Sequence, residues 1–127
     1  MKERIKVGVA GFDKLIGGGL IANSVNLLAG GPGTGKTIFC LQYLLNGAQE
    51  GEKSIYFSFE ETEQELKEDI EGLGLNFKGV ENKVKFLYLP LYGVGNIPSV
   101  IQREIQSFQP QRIVVDSITA LTMPMEN

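Results

Sequence analysis

The sequence predicts an α/β fold in which a mostly parallel sheet is flanked by helices. Three observations carry this expectation. Apolar, β-favouring runs at residues 24–29, 54–59, 84–89 and 113–116 alternate with segments of helical apolar spacing, the pattern of right-handed βαβ units. The first run ends in a cluster of glycines that opens a helical segment, so a tight turn stands between strand and helix. Composition lies near the globular average, with 43 % hydrophobic and 21 % charged residues, which argues against a disordered or fibrous chain.

Along the chain, residues 12–16 can form a single helical turn, and Gly17-Gly18-Gly19 behind them either cap it or approach a ligand. Ser24-Val25-Asn26-Leu27-Leu28-Ala29 is the first strand and stops where the glycines begin. From Lys36 to about Glu50, Ile38, Leu41, Leu45 and Ala48 recur at helical spacing with Phe39 and Leu44 beside them, and Gly51 can cap the end. Residues 54–59 are aromatic and β-favouring, giving a second strand that runs into Glu60 and Glu61. Thr62-Glu63-Gln64-Glu65 has capping-box spacing. Leu66, Ile70 and Leu73 follow it, so a surface helix with an acidic outer face runs to Gly72 or Gly74. After the strand at 84–89, a loop with Gly93, Gly95 and Pro98 leads to a helix carrying Ile101, Ile105 and Phe108, which Pro110 ends. Ile113-Val114-Val115-Asp116 is a fourth apolar strand with an acid at its carboxyl end.

The 127 residues allow one domain at most, with 12 Lys and Arg against 15 Asp and Glu, a net charge of −3. A single cysteine and no histidine exclude an intrachain disulfide and an ordinary structural zinc site, and fit a reducing, cytoplasmic setting. No stretch of about 18 apolar residues and no signal peptide is present, so no membrane association is expected. A sequence pI near 5.0 and scattered lysines give no electrostatic footprint for nucleic acid, although an oligomer can assemble one. Sixteen glycines are about twice the usual share and point to positions of close approach or positive φ.

Gly30-Gly31-Pro32-Gly33-Thr34-Gly35-Lys36-Thr37 fits the P-loop pattern G-x-x-x-x-G-K-[ST] between a predicted strand and a predicted helix. Glycines let successive backbone N–H groups turn inward as an anion nest, and the helix starting near Lys36 adds its positive dipole end. Lys36 then reaches the β- and γ-phosphates of ATP, and the Thr37 hydroxyl can coordinate Mg²⁺, which keeps several waters and uses few protein ligands. Gly31, Pro32, Gly33, Thr34, Gly35, Lys36, Thr37 and Ile38 form the candidate nucleotide-binding set.

Asp116 stands where a Walker-B carboxylate would hold Mg²⁺ through water, and with Thr37 makes the candidate metal pair; an aspartate there also suits a helix N-cap. Glu60 and Glu61 end the second strand at the sheet edge where ligands bind in α/β folds, and are the candidate catalytic carboxylates. One of them, Glu60 first, could orient the water that attacks phosphorus and take its proton; the competing reading is a pair of solvated acids ahead of a capped helix. Cys40 reads as a small core residue, and Tyr56, Phe57 and Phe59 as packing on the second strand.

Together these features resemble the RecA-like P-loop ATPases, specifically the KaiC-like branch. The resemblance rests on Gly11-Phe12-Asp13-Lys14-Leu15-Ile16-Gly17-Gly18-Gly19-Leu20, on Gly30 to Thr37, on Phe59-Glu60-Glu61 with Gln64 and Leu66, and on Ile113-Val114-Val115-Asp116-Ser117. It implies that Glu60 and Glu61 form the hydrolytic carboxylate site, with Glu60 as the base, and that Asp116 serves Mg²⁺. It also implies a sheet whose second strand lies between the third and the fourth, and a fifth strand between the fourth and the first. The sequence stops before that fifth strand. Residues 1–127 are therefore expected to be the N-terminal portion of a single RecA/KaiC-like ATPase domain, incomplete at its C-terminal end unless a partner supplies the strand.

The missing part would also carry the basic finger that reaches a neighbouring subunit's γ-phosphate in a homo-oligomeric ring. Neither Arg103 nor Arg112 suits that role. Such a finger is worth about 10³–10⁵ in rate, so hydrolysis by this chain alone should be weak or absent. The expected function is ATP and Mg²⁺ binding, with hydrolysis in the complete domain driving regulation or assembly. The alternatives are a recombinase-like DNA-binding ATPase and a nucleotide-binding interaction module with little hydrolysis.

Overall fold

The computed structural model describes residues 3–9, 11–22, 35–90 and 96–116. The expected first strand at 24–29, residues 30–34 of the glycine motif and everything after Asp116 lie outside them.

Among the described residues, three parallel strands form the central sheet. β3 (Ser54–Ser58) lies between β4 (Val84–Tyr88) and β5 (Arg112–Asp116). Ser54 pairs with Val84 and Arg112, and Ser58 with Tyr88 and Asp116, so the strands begin and end in step and their carboxyl ends make one edge. The ladder continues one residue further, with Phe59 N–H donating to the Asp116 carbonyl at 2.9 Å and Leu89 N–H to that of Ser58 at 2.8 Å. This order is the one the resemblance implies for the second, third and fourth strands.

Helices cover both faces. α2 (Lys36–Gln49) packs Leu41, Leu44 and Ala48 over Tyr56, Val84 and Val114, joined by Leu66 of α3 (Glu63–Gly72) and by Phe77. α4 (Ile97–Phe108) covers the other face, with Ile97, Val100, Ile101, Ile105 and Phe108 against Ile55, Phe57 and Leu89. β3 is buried along its whole length, as a central strand of a two-sided parallel sheet must be, which is why it reads as a continuous apolar run rather than an alternation.

The capping box at α3 forms as expected: Thr62 Oγ1 accepts from Glu65 N–H at 3.2 Å and the Glu65 carboxylate accepts from Thr62 N–H at 3.1 Å. Pro98, expected in a loop, stands in the first turn of α4 behind the N-cap Asn96, whose side chain accepts from Ser99 N–H at 3.0 Å. A missing N–H costs nothing in a first turn and the fixed φ suits it.

A feature absent from the sequence expectation precedes the sheet. β1 (Arg4–Ile5) and β2 (Leu20–Ile21) form a small antiparallel ladder around the single turn α1 (Phe12–Leu15). Asp13 closes it by accepting from Val7 N–H at 2.8 Å and Gly8 N–H at 2.9 Å. Gly19, at φ 143°, passes so close to Ile5 that any Cβ would collide with the Ile5 carbonyl, which accounts for one member of the glycine triplet. Phe12 meets Phe39 of α2 edge-on at 5.0 Å between ring centroids.

Arg112 locks this segment to the domain. Its side chain is 2 % exposed; Nη1 donates to the carbonyls of Lys6 and Tyr43, each at 2.8 Å, and Nε to Glu52 at 3.1 Å. The guanidinium also lies over the Tyr43 ring, 4.8 Å from its centroid. Among the described residues these contacts all lie within the chain.

Candidate functional site

Of the sequence-predicted residues, Gly35 to Ile38 lie where α2 begins, Glu60 and Glu61 just past the end of β3, and Asp116 at the end of β5. Gly35, at φ 84°, is the N-cap of α2, a left-handed conformation that glycine adopts freely. Its carbonyl accepts from Phe39 N–H at 3.0 Å. Lys36, Thr37 and Ile38 fill the first turn, and no side chain caps it, so among the described residues the leading amides keep their donors for another acceptor. Gly31, Pro32, Gly33 and Thr34 lie outside the described residues.

Asp116 closes β5. Its Oδ2 accepts a hydrogen bond from the Tyr56 hydroxyl at 2.8 Å. The position of α2 relative to this carboxylate shows at Cys40, one turn after Lys36. Burial pushes the Cys40 thiol up to about 11, the Asp116 charge adds to the rise, and the Lys36 charge opposes it. A thiol in that state is neutral and packed, not nucleophilic. The same residue feels both charges, so the start of α2 and the end of β5 share one neighbourhood.

The two glutamates part ways. Glu60 is exposed, and no contact among the described residues ties it to Asp116. Glu61 is half-buried, and its backbone N–H donates to Ser58 Oγ at 3.0 Å. A carboxyl hydrogen bond with Asp69 of α3, then burial, then the negative charges of Asp69, Glu65 and Asp116 raise Glu61 to about 7. Cys40 thus lies within electrostatic reach of both Lys36 and Asp116, and Glu61 within reach of Asp116, while Glu60 is exposed at the turn before α3.

Tyr56 is the residue that sequence reasoning missed. Among Ile55, Phe57 and Phe59 it reads as one more packing ring, and the only signal was its hydroxyl, which needs a partner when buried. Burial, followed by the Asp116 charge and the hydrogen bond to it, raises the phenol far above its ordinary value, so it stays protonated and donates.

The donor set suits Mg²⁺. Among the described residues no three of His, Cys, Asp and Glu converge as a metal cage. What the sheet edge and the first helical turn supply is one carboxylate and one hydroxyl, the sparse oxygen set that an ion keeping most of its waters uses. Among the described residues no helix is long and apolar enough to cross a membrane.

A family model described as the KaiC ATPase matches residues 5–127. The chain is 34 % identical over 140 aligned positions to a UPF0273 protein of Thermotoga maritima, covering 95 % of the chain and 58 % of that protein. It is 34 % identical to a UPF0273 protein of Pyrococcus horikoshii, over 95 % of the chain and 57 % of that protein. To the circadian clock oscillator protein KaiC of a Picosynechococcus species it is 35 % identical over 128 positions, covering 98 % of the chain and 25 % of that protein. The chain therefore spans just over half of the first two relatives and a quarter of the third.

Proposed function

Since the chain belongs to the KaiC ATPase family, with its described sheet part of a RecA-like P-loop fold, we propose that it binds ATP with Mg²⁺ and, within the complete domain, hydrolyses it to drive a regulatory or assembly function. The protein works in the cytoplasm as a homo-oligomeric ring. The observation that carries this reading is a helix start at Gly35 and Lys36 without a side-chain cap, one turn before Cys40, whose thiol senses the charges of both Lys36 and Asp116.

Each residue has a role set by its chemistry. Backbone amides of Gly31 to Ile38 hold the phosphate chain, and the Lys36 ammonium sits against its terminal groups. Thr37 and Asp116 would hold Mg²⁺, which when bound would supply positive charge to the β- and γ-phosphates. Glu60, free in solvent, orients the attacking water and takes its proton as the bond from phosphorus to the ADP oxygen breaks, leaving ADP and inorganic phosphate. Glu61, whose backbone N–H donates to Ser58 Oγ and whose carboxyl neighbours Asp69, belongs to the turn that carries Glu60.

Calorimetric titration of ATP with Mg²⁺ into the Lys36→Ala protein tests the reading. Loss of binding is expected; an affinity equal to that of the unaltered protein overturns the phosphate cradle.

A further inference from the structure

Tyr56 occupies the middle of β3, 0 % exposed, with its ring 6.0 Å from that of Phe86 between α2 and the sheet. Its register partner on β5 is Val114. Side chains alternate along a strand, so Asp116, two residues further, lies on the same face as the diagonal neighbour of Tyr56. That geometry puts the hydroxyl 2.8 Å from Oδ2. Among the described residues Oδ2 is the only oxygen of this carboxylate with a hydrogen-bond donor.

Packing alone does not call for the hydroxyl. The residues around it on the sheet, Val84, Phe86 and Val114, are apolar, and a phenylalanine would fill the same space. Among the described residues the hydroxyl's hydrogen bond goes to the carboxylate at the end of β5. A donor held to one oxygen restricts rotation of the carboxylate and leaves its other oxygen for another partner. We infer that Tyr56 is a positioning residue: it holds Asp116 through Oδ2 so that Oδ1 is presented to the hydrated Mg²⁺ of the bound nucleotide. The inference rests on the reading of Asp116 given above. Partners that orient a metal-holding group in this way are worth about 10–100-fold in metal affinity.

The test is a Mg²⁺ titration of the full-length protein with fluorescent N-methylanthraniloyl-ATP, alongside nucleotide binding in excess EDTA and a melting curve. Tyr56→Phe keeps the ring and removes the donor. It should raise the Mg²⁺ half-saturation concentration about ten-fold, leave the affinity in EDTA unchanged, and add nothing further in an Asp116→Asn background. Incorporation of 3-fluorotyrosine at position 56, which disturbs the ring but keeps the hydroxyl, should retain the original Mg²⁺ midpoint even if melting falls. A Tyr56→Phe midpoint that stays in place while Asp116→Asn raises it overturns the positioning role and leaves the Asp116 reading standing. A fluorotyrosine midpoint displaced as far as that of Tyr56→Phe likewise overturns it. An Asp116→Asn midpoint that does not move overturns the Asp116 reading and this inference with it.

Discussion

The guanidinium stem of Arg112 lies where a side chain on Gly47 would stand: a Cβ at that position would be 2.6 Å from both Cδ and Nε of Arg112. Arg112 cannot swing aside, because it is pinned by Lys6, Tyr43 and Glu52. Replacing a helical glycine by alanine ordinarily gains about 1 kcal/mol. Here overpacking, which costs about 1–3 kcal/mol, wins. Gly47→Ala is expected to lower the stability read from urea unfolding by a net of up to about 2 kcal/mol, whereas Gly72→Ala, near the end of α3 with nothing within 4 Å, should not.

Among the described residues, Asp13 is the acceptor that holds the Val7 and Gly8 amides, at 2.8 and 2.9 Å. Asp13→Ala leaves both without it, at a cost of about 1–3 kcal/mol. The loss should be local. Limited proteolysis should cut residues 3–22 faster while the central sheet keeps its amide-exchange protection.

Glu61 makes stability depend on pH. Its folded value is about 7 against an ordinary 4.5, so the folded state holds the proton more tightly than the unfolded chain does. The stabilisation is complete below 4.5 and is lost as pH rises through 7. Solvent screening at this half-exposed position limits the effect to about 1 kcal/mol or less. Urea titrations between pH 4.5 and 8 should show that decline, and Glu61→Gln, which cannot ionise, should flatten it.

Glu60→Gln in the full-length protein should keep ATP binding and lower turnover by about 10²–10⁴, the range of a general base. Single-turnover release of phosphate measures it. The matching substitution at Glu61 should cost less, since that carboxyl is turned toward Asp69.

Much of this was legible in the sequence, for local reasons. The start of α2 at Lys36, the reciprocal cap of Thr62 and Glu65, and the acid closing β5 each depend on neighbours a few residues away. What could not be read depends on distant partners. Arg112 looks like a solvated charge at a strand start, and only residues 6, 43 and 52 make it a buried one. β1 and β2 are two residues each, too short for any periodicity. Tyr56 carries its meaning in one atom, and the register that sends this atom to Asp116 exists only once β3 and β5 have paired.

The bond between Arg112 and the Lys6 carbonyl joins residues 106 positions apart in the chain. On the ribosome the N-terminal segment emerges first, yet its anchor is among the last of these residues to be made. Contacts of such sequence separation form late, after the entropy of closing the intervening loop has been met. Any nascent chain halted before position 112 therefore carries a strap held without its Arg112 clasp, and the closing of that clasp reports that β5 has arrived.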